Sequence, residues 1–339
     1  MPPQHNHQVR LKSRPTGIPQ ADHFEIVEAE VPQVGDGQLL IRNEYLSVEP
    51  AMRGWVSAVA NYSTPVAIGD VMRAFAAGKV IASRHPDYAV GDAVMGMFGW
   101  QQYAVSNGRS ITRKVKETDL PLSLSLGILG LNGVTAYFAM LDVGQPRSGD
   151  TVVVSTAAGA VGSAVGQIAK LMGCRTVGIT GGAVKTELCR EEFGYDVAID
   201  YKADAHISEA LAAACPRGVD VYFDNTAGAI SDAVLPQLAT GAQVVICGTA
   251  AVSSWDPPPT GPRVERYLLV KRARMSGFLV FDYAHRYEEA VARLAIWVRE
   301  GKMRYREDIA EGIENCPGAI AELYRGENLG KRLVRLRSD

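Results

Sequence analysis

The chain has 339 residues, 47% hydrophobic and 21% charged, with 34 Gly and 17 Pro, which is ordinary globular composition and length enough for two domains. Its 35 Lys and Arg against 37 Asp and Glu leave a formal net charge of −2, so there is no basic footprint for nucleic acid. No apolar run approaches the ~18 residues of a membrane span. The opening MPPQHNHQVRLKSRP lacks the apolar core of a secretory signal, so a cytoplasmic protein without nucleic-acid or membrane partners is expected.

From Phe24 to about Arg113 the chain runs in short β-like stretches: FEIVEAEVP, QLLIRNEYLSV, GKVIASRHPDY, DAVMGMFGW and QQYAV. Gly and Pro clusters break them at intervals of about ten residues, which predicts a β sandwich or barrel. From about Leu122 to Glu300 strands alternate with helices. Strands are predicted at Thr151–Ser155, Arg175–Thr180, Val197–Asp200, Val219–Asp224 and Gln243–Cys247, and helices at Val161–Met172, Val184–Phe193 and Ala205–Ala214. Repeated βα units mean a parallel sheet covered on both faces. Lys302–Arg337 returns to short mixed elements and ends in the strand-like KRLVRLR. The expected fold class is therefore α/β. A doubly wound domain over 126–300 interrupts a β-rich domain built from 1–125 and 301–339. Pro257–Pro259 mark a loop of roughly fifteen residues, long enough to suggest a functional role.

The strongest local signal is TVVVSTAAGAVGSAVGQIAKLMG, residues 151–173. A β-branched strand runs into Ala157-x-Gly159-x-x-Gly162 and then into an amphipathic helix, the dinucleotide fingerprint with alanine for its first glycine. Gly159 lets backbone approach a pyrophosphate, Gly162 lets helix and strand pack closely, and the helix start supplies N–H groups for phosphate, with Ala158, Ala160 and Val161 lining the turn. The next strand ends in Thr180-Gly181-Gly182-Ala183-Val184-Lys185. It has no carboxylate for a ribose 2′-hydroxyl, and Lys185 follows a glycine pair, which points to NADP(H) rather than NAD(H).

Five cysteines (Cys174, Cys189, Cys215, Cys247, Cys316) are spread without a CxxC pair, and the first 173 residues hold none. That pattern predicts reduced, mostly buried thiols. Catalytic zinc of the alcohol-dehydrogenase kind needs thiolate and imidazole together. The histidines at 5, 7, 23, 85, 206 and 285 form no ligand pattern, and no metal is expected. Without a Lewis acid, hydride delivery to an already activated double bond is the simpler chemistry.

Eight motifs occur in order: Glu49-Pro50-Ala51-Met52-Arg53-Gly54, Ile68-Gly69-Asp70-Val71-Met72-Arg73, AAGAVGSAVGQIAK, AIDYK, DVYFDN, Cys247-Gly248, Met275-Ser276-Gly277-Phe278 and Gly326-Glu327-Asn328-Leu329-Gly330-Lys331. With them the chain resembles, over nearly its whole length, the zinc-free medium-chain dehydrogenase/reductases. More narrowly it resembles the prostaglandin reductase and NADPH-dependent alkenal (enone) double-bond reductase family, which includes bacterial curcumin-reductase-type enzymes. The resemblance implies a GroES-like β-barrel catalytic domain with an inserted Rossmann domain, and a homodimer. It also implies hydride transfer from NADPH to the β-carbon of an unsaturated ketone or aldehyde. Carried over by position, it places NADP(H) at Gly159, Gly162, Lys185, Tyr201, Asn225, Cys247, Gly248 and Asn328, with Phe278, Leu279 and Val280 bordering the nicotinamide. A loop tyrosine common in the family is replaced by Ser253, which leaves Tyr62 as the expected donor to the substrate carbonyl. Met52, Arg53, Asn132, Ser253 and Trp255 are expected around the substrate, favouring apolar or aromatic enones. A quinone oxidoreductase and a non-catalytic NADPH-binding sensor are the other readings compatible with these residues.

Overall fold

The computed structural model describes residues 5–58, 62–203, 206–252, 257 and 259–337. Two compact units divide the chain: Met1–Gly127 with Glu307–Asp339, and Ile128–Arg306. Among the described residues no helix is long and apolar enough to cross a membrane.

The first unit contains strands β1 (His5–Leu11), β2 (Phe24–Glu30), β3 (Leu39–Ser47), β4 (Phe75–Ser83), β5 (Ala93–Met97), β6 (Tyr103–Ser106), β7 (Ile111–Lys114), β14 (Glu307–Glu311) and β15 (Lys331–Arg335), with short helix α1 (Met52–Trp55) and α9 (Cys316–Arg325). Seven of these strands form one sheet in the order β14-β15-β3-β4-β5-β7, with β6 joined to β3. β4 lies along one edge of β3; β6 and β15 share the other. Register shifts at Leu40/Ile41 and Asn43/Tyr45 bend this long strand. β1 is a strand where polarity and proline gave no such expectation, pairing antiparallel with β2. Fully buried Asn6 explains it: its amide donates to the Tyr103 carbonyl at 2.9 Å and accepts from the Tyr103 N–H at 2.9 Å, continuing the backbone ladder.

The second unit has β8 (Thr151–Ser155), β9 (Arg175–Thr180), β10 (Val197–Asp200), β11 (Val219–Asp224), β12 (Leu238–Ile246) and β13 (Arg274–Gly277). Its helices are α2 (Leu131–Phe138), α3 (Ala160–Leu171), α4 (Ala183–Glu191), α5 (Ile207–Ala214), α6 (Gly228–Val234), α7 (Glu265–Lys271) and α8 (Tyr287–Arg299). All six strands are parallel in the order β10-β9-β8-β11-β12-β13, so the strand order reverses between β8 and β11. In such sheets ligands collect beyond the carboxyl ends at that reversal. Val153, Val177, Tyr222 and Val244 pack on one face with Leu211, Ala214 and Val234. β12 begins earlier than the expected Gln243, because exposed Thr240-Gly241 interrupts its apolar pattern while the backbone pairing already starts at Leu238.

Candidate functional site

At the carboxyl end of β8 the chain turns through Thr156, which takes a left-handed φ of 54°, into α3 with Gly159 at its N-cap. A Cβ on Gly162 would lie 2.2 Å from the Thr156 carbonyl oxygen and 2.9 Å from the Ala157 Cα, so only glycine allows this turn and helix to meet. Ala157 is tolerated in place of a glycine because it faces Gly178 of β9, where a second Cβ would come within 2.7 Å of its own. Buried Tyr195 closes the packing: its hydroxyl donates to the Gly162 carbonyl at 2.6 Å and its ring covers Gly166 and Gly178. The α3 start has no side-chain cap, which leaves its first backbone N–H groups without an intrahelical partner. Ala158 is buried and contributes only backbone there.

Across the strand-order reversal, the loop after β11 is built on Asp224, only 1% exposed. Its Oδ1 accepts from the N–H groups of Thr226 and Ala227, both at 2.8 Å, and its Oδ2 accepts from Ser231 Oγ at 2.5 Å. Asn225 is held against β8, donating its N–H to Ser155 Oγ at 2.8 Å and its amide to the Ser155 carbonyl at 2.7 Å. The N–H groups of Cys247 and Gly248 both donate to the Asp224 carbonyl, at 2.8 and 3.0 Å. A Cβ on Gly248 would sit 2.8 Å from the Asn225 carbonyl oxygen. The structure thus brings Gly159, Gly162, Asn225, Cys247 and Gly248 to the carboxyl edge of the sheet.

At the neighbouring corner, Thr180 ends β9, Gly181 and Gly182 lead into α4, and Tyr201 donates its N–H to the Thr180 carbonyl at 3.0 Å. A carboxylate absent from β9 reaches this corner from β10. Asp200 Oδ1 accepts from the N–H groups of Gly182 at 2.7 Å and Lys202 at 3.0 Å, and the Gly182 bond holds its carboxyl below the usual range. Both side chains close on Gly181: a Cβ there would meet Lys202 Cε at 2.9 Å and the Tyr201 ring at 3.0 Å. Exposed Tyr201 and Lys202 therefore flank the corner, with half-buried Lys185 in the first turn of α4. Lys202 is not among the residues the motifs single out. The signal lay in AIDYK itself, where the lysine follows the tyrosine directly.

Other expected residues are placed differently. Phe278 and Val280 are buried, the Phe278 ring stacking on Tyr283 at 5.2 Å and Tyr283 in turn on Phe138 at 4.7 Å, while Leu279 is exposed. Asn132 is buried in the first turn of α2. In the first unit Met52 is fully buried, Arg53 half-buried and Tyr62 52% exposed. Buried Asn328 donates its amide to the Gly330 carbonyl at 2.7 Å. Ser253 and Trp255 lie outside the described residues. Four of the five thiols are buried and all five are free. Cys247 is the partly exposed one, and desolvation of its sulfur, the largest influence, pushes the thiol up to about 12. Among the described residues no group of three or more His, Cys, Asp or Glu could hold a metal ion.

Residues 7–114 match a family model described as the N-terminal domain of oxidoreductase, and residues 160–296 one described as zinc-binding dehydrogenase. The NADPH-dependent curcumin reductase of Escherichia coli is 44% identical, the match covering 99% of this chain and 98% of that one. The NADP(+)-dependent 2-alkenal reductase of Nicotiana tabacum is 38% identical, over 97% of each. The chain belongs to the zinc-free curcumin, alkenal and prostaglandin reductase family. A solved member, CurA from Vibrio vulnificus in complex with NADPH, superposes with a TM-score of 0.91 at 42% identity, covering 98% of this chain and 100% of that one. A solved quinone oxidoreductase from Pseudomonas syringae has a TM-score of 0.79 at 18% identity and shares the fold. Membership in this reductase family gives the glycine cradle of α3 and the lysine-flanked corner after β9 a common use. One suits a pyrophosphate and the other a phosphate on ribose, so the donor set present fits NADP(H).

Proposed function

We propose that this chain is an NADPH-dependent reductase of α,β-unsaturated ketones and aldehydes. The observation that carries the reading is the open glycine turn at the strand-order reversal beside a corner bearing Lys185, Tyr201 and Lys202. Kinship with curcumin and alkenal reductases along nearly the entire chain supports it. The α3 N–H groups at Ala160, Val161 and Gly162 would hold the pyrophosphate, and Lys185 with Lys202 the 2′-phosphate against the Tyr201 ring. Asn225, Cys247, Gly248 and Asn328, with the backbone around Leu279, would complete the nucleotide's surroundings.

NADPH, when bound, supplies a hydride. Hydride arriving at the substrate β-carbon would push the π electrons onto the carbonyl oxygen as an enolate, and a proton from solvent would complete the saturated product at the α-carbon. The chain's part is to place a donor where negative charge develops. The Tyr62 hydroxyl, an uncharged donor at neutral pH, is assigned that role, with Arg53 beside the substrate. We further assign the protein to the cytoplasm as a homodimer.

The deciding experiment follows NADPH consumption with an enone, with a quinone and with neither. Turnover of the enone to its saturated ketone, with a slower quinone reaction, is expected. Turnover of the quinone alone would replace this reading with a quinone reductase, and tight NADPH binding without turnover of either acceptor would leave a nucleotide-binding sensor.

A further inference from the structure

The residues that the first unit contributes to the proposed reaction lie on and after α1, a helix of four residues whose N-cap, Ala51, makes no side-chain capping bond. A segment this short has no stability of its own. Its geometry has to be imposed by neighbours, and the C-terminal part of the chain imposes it at two points. Lys331, buried, donates to Ser47 Oγ at 2.7 Å, the Val48 carbonyl at 2.9 Å and Glu49 Oε1 at 2.8 Å, which anchors the chain just before the turn. Tyr324, in the last turn of α9, takes the next step. Its hydroxyl donates to the Pro50 carbonyl at 3.0 Å, the same carbonyl that receives the Arg53 N–H at 3.2 Å. The Arg53 guanidinium lies over its ring, 4.8 Å from the centroid.

We propose that Tyr324 is a positioning residue for the substrate: its hydroxyl fixes the Pro50 carbonyl and its ring fixes the Arg53 side chain, so that Arg53 meets the unsaturated carbonyl compound in one arrangement. This rests on the enone-reductase reading. Tyr324 does no chemistry itself. It supplies two separable restraints, a hydrogen bond and a cation–π contact, and each has its own variant. Tyr324→Phe removes the first and keeps the second, whereas Tyr324→Leu removes both and leaves a smaller apolar side chain.

The test is steady-state kinetics of wild type and both variants, with an aryl enone and with a quinone as acceptor. Loss of one neutral hydrogen bond corresponds to about fivefold, and loss of the cation–π contact to a further factor of about two to three. The enone KM should therefore rise about fivefold in Tyr324→Phe and about tenfold or more in Tyr324→Leu, with kcat and the KM for NADPH within about twofold of wild type. A merely structural role would move the NADPH KM and kcat as well, and would be seen as a lowered unfolding temperature. An enone KM unchanged in a folded Tyr324→Leu protein overturns the proposal, as does equal damage by Phe and Leu spread over all three constants. If Tyr324→Leu fails to fold, the isosteric Phe variant decides by the same split. Should the wild type reduce only the quinone, the enone reading falls while the positioning role is judged on the quinone KM. Turnover of neither acceptor sinks both.

Discussion

The charges at the β9 corner bear directly on nucleotide choice. Asp200 brings one negative charge there, but two backbone N–H groups engage its Oδ1, and Lys202 stabilises its ionised form. With Lys185 the corner carries two positive side chains against one engaged carboxylate, a balance that suits a phosphate dianion. Half-buried Lys185 is less screened than exposed Lys202, so the two should contribute unequally. Lys185→Ala is expected to weaken NADPH binding about tenfold or more and Lys202→Ala about three- to fivefold, with NADH affinity unaffected in both. Titration calorimetry with both nucleotides checks this, and equal losses for NADPH and NADH would refute the 2′-phosphate assignment. The cysteines give a second expectation. Burial pushes Cys174 and Cys215 up to about 11 and Cys189 and Cys247 to about 12. At pH 8 the thiolate fraction at these sites is then on the order of one in a thousand or less. Folded protein should release less than one equivalent from an aromatic disulfide reagent over minutes, and unfolded protein five, one per cysteine. Rapid release of a full equivalent from the native fold would contradict it.

The elements that carry the nucleotide turn are legible in the amino-acid sequence because their chemistry is local. β8, β9 and β11 begin and end where the apolar runs do, since strands buried on both faces have little choice of residue. The glycines of the turn announce a close approach, and the structure supplies its measure. Gly162→Ala must push a Cβ into the Thr156 carbonyl oxygen 2.2 Å away, so backbone has to move. A stability loss of about 2–3 kcal/mol is expected, with NADPH binding weakened at least about tenfold. Gly318→Ala on α9, where a Cβ would meet Glu322 Oε1 at an ordinary contact distance of 3.5 Å, is the control and should cost less than about 0.5 kcal/mol. Thermal unfolding of the two variants side by side decides; similar losses would mean the turn is more compliant than its geometry implies. What stayed illegible depends on partners far away in sequence. Tyr324 reaches Pro50 across 274 residues, and Asn6 makes β1 a strand through Tyr103. Asp200 arrives at its corner from a different strand. A single sequence offers no local pattern that announces such pairings.

The β-rich and doubly wound parts, and the interruption of one by the other, follow from the change of period along the chain, but association between copies has no such signature. Its physical trace is an edge. β13 closes one end of the parallel sheet, with Arg274, Ser276 and Gly277 exposed along it. Adjacent α7 buries none of its residues and presents Leu269 at 79% and Val270 at 56% exposure. An open strand edge with exposed aliphatic side chains beside it invites pairing, and proteins ordinarily cover such an edge. A second copy meeting it about a two-fold axis would continue the sheet and bury Leu269 and Val270 against their own counterparts. Replacing both by glutamate (Leu269→Glu with Val270→Glu) sets like charges opposite one another across such an axis. The double variant is expected to sediment as a monomer where the wild type sediments as a dimer. NADPH affinity should persist, because the glycine turn and the Lys185 corner lie at the carboxyl ends of β8 and β9, three and four strands from β13. A double variant that still sediments as a dimer would move the interface elsewhere. A wild type that is itself monomeric would leave the β13 edge exposed in solution and remove the homodimer from the proposal.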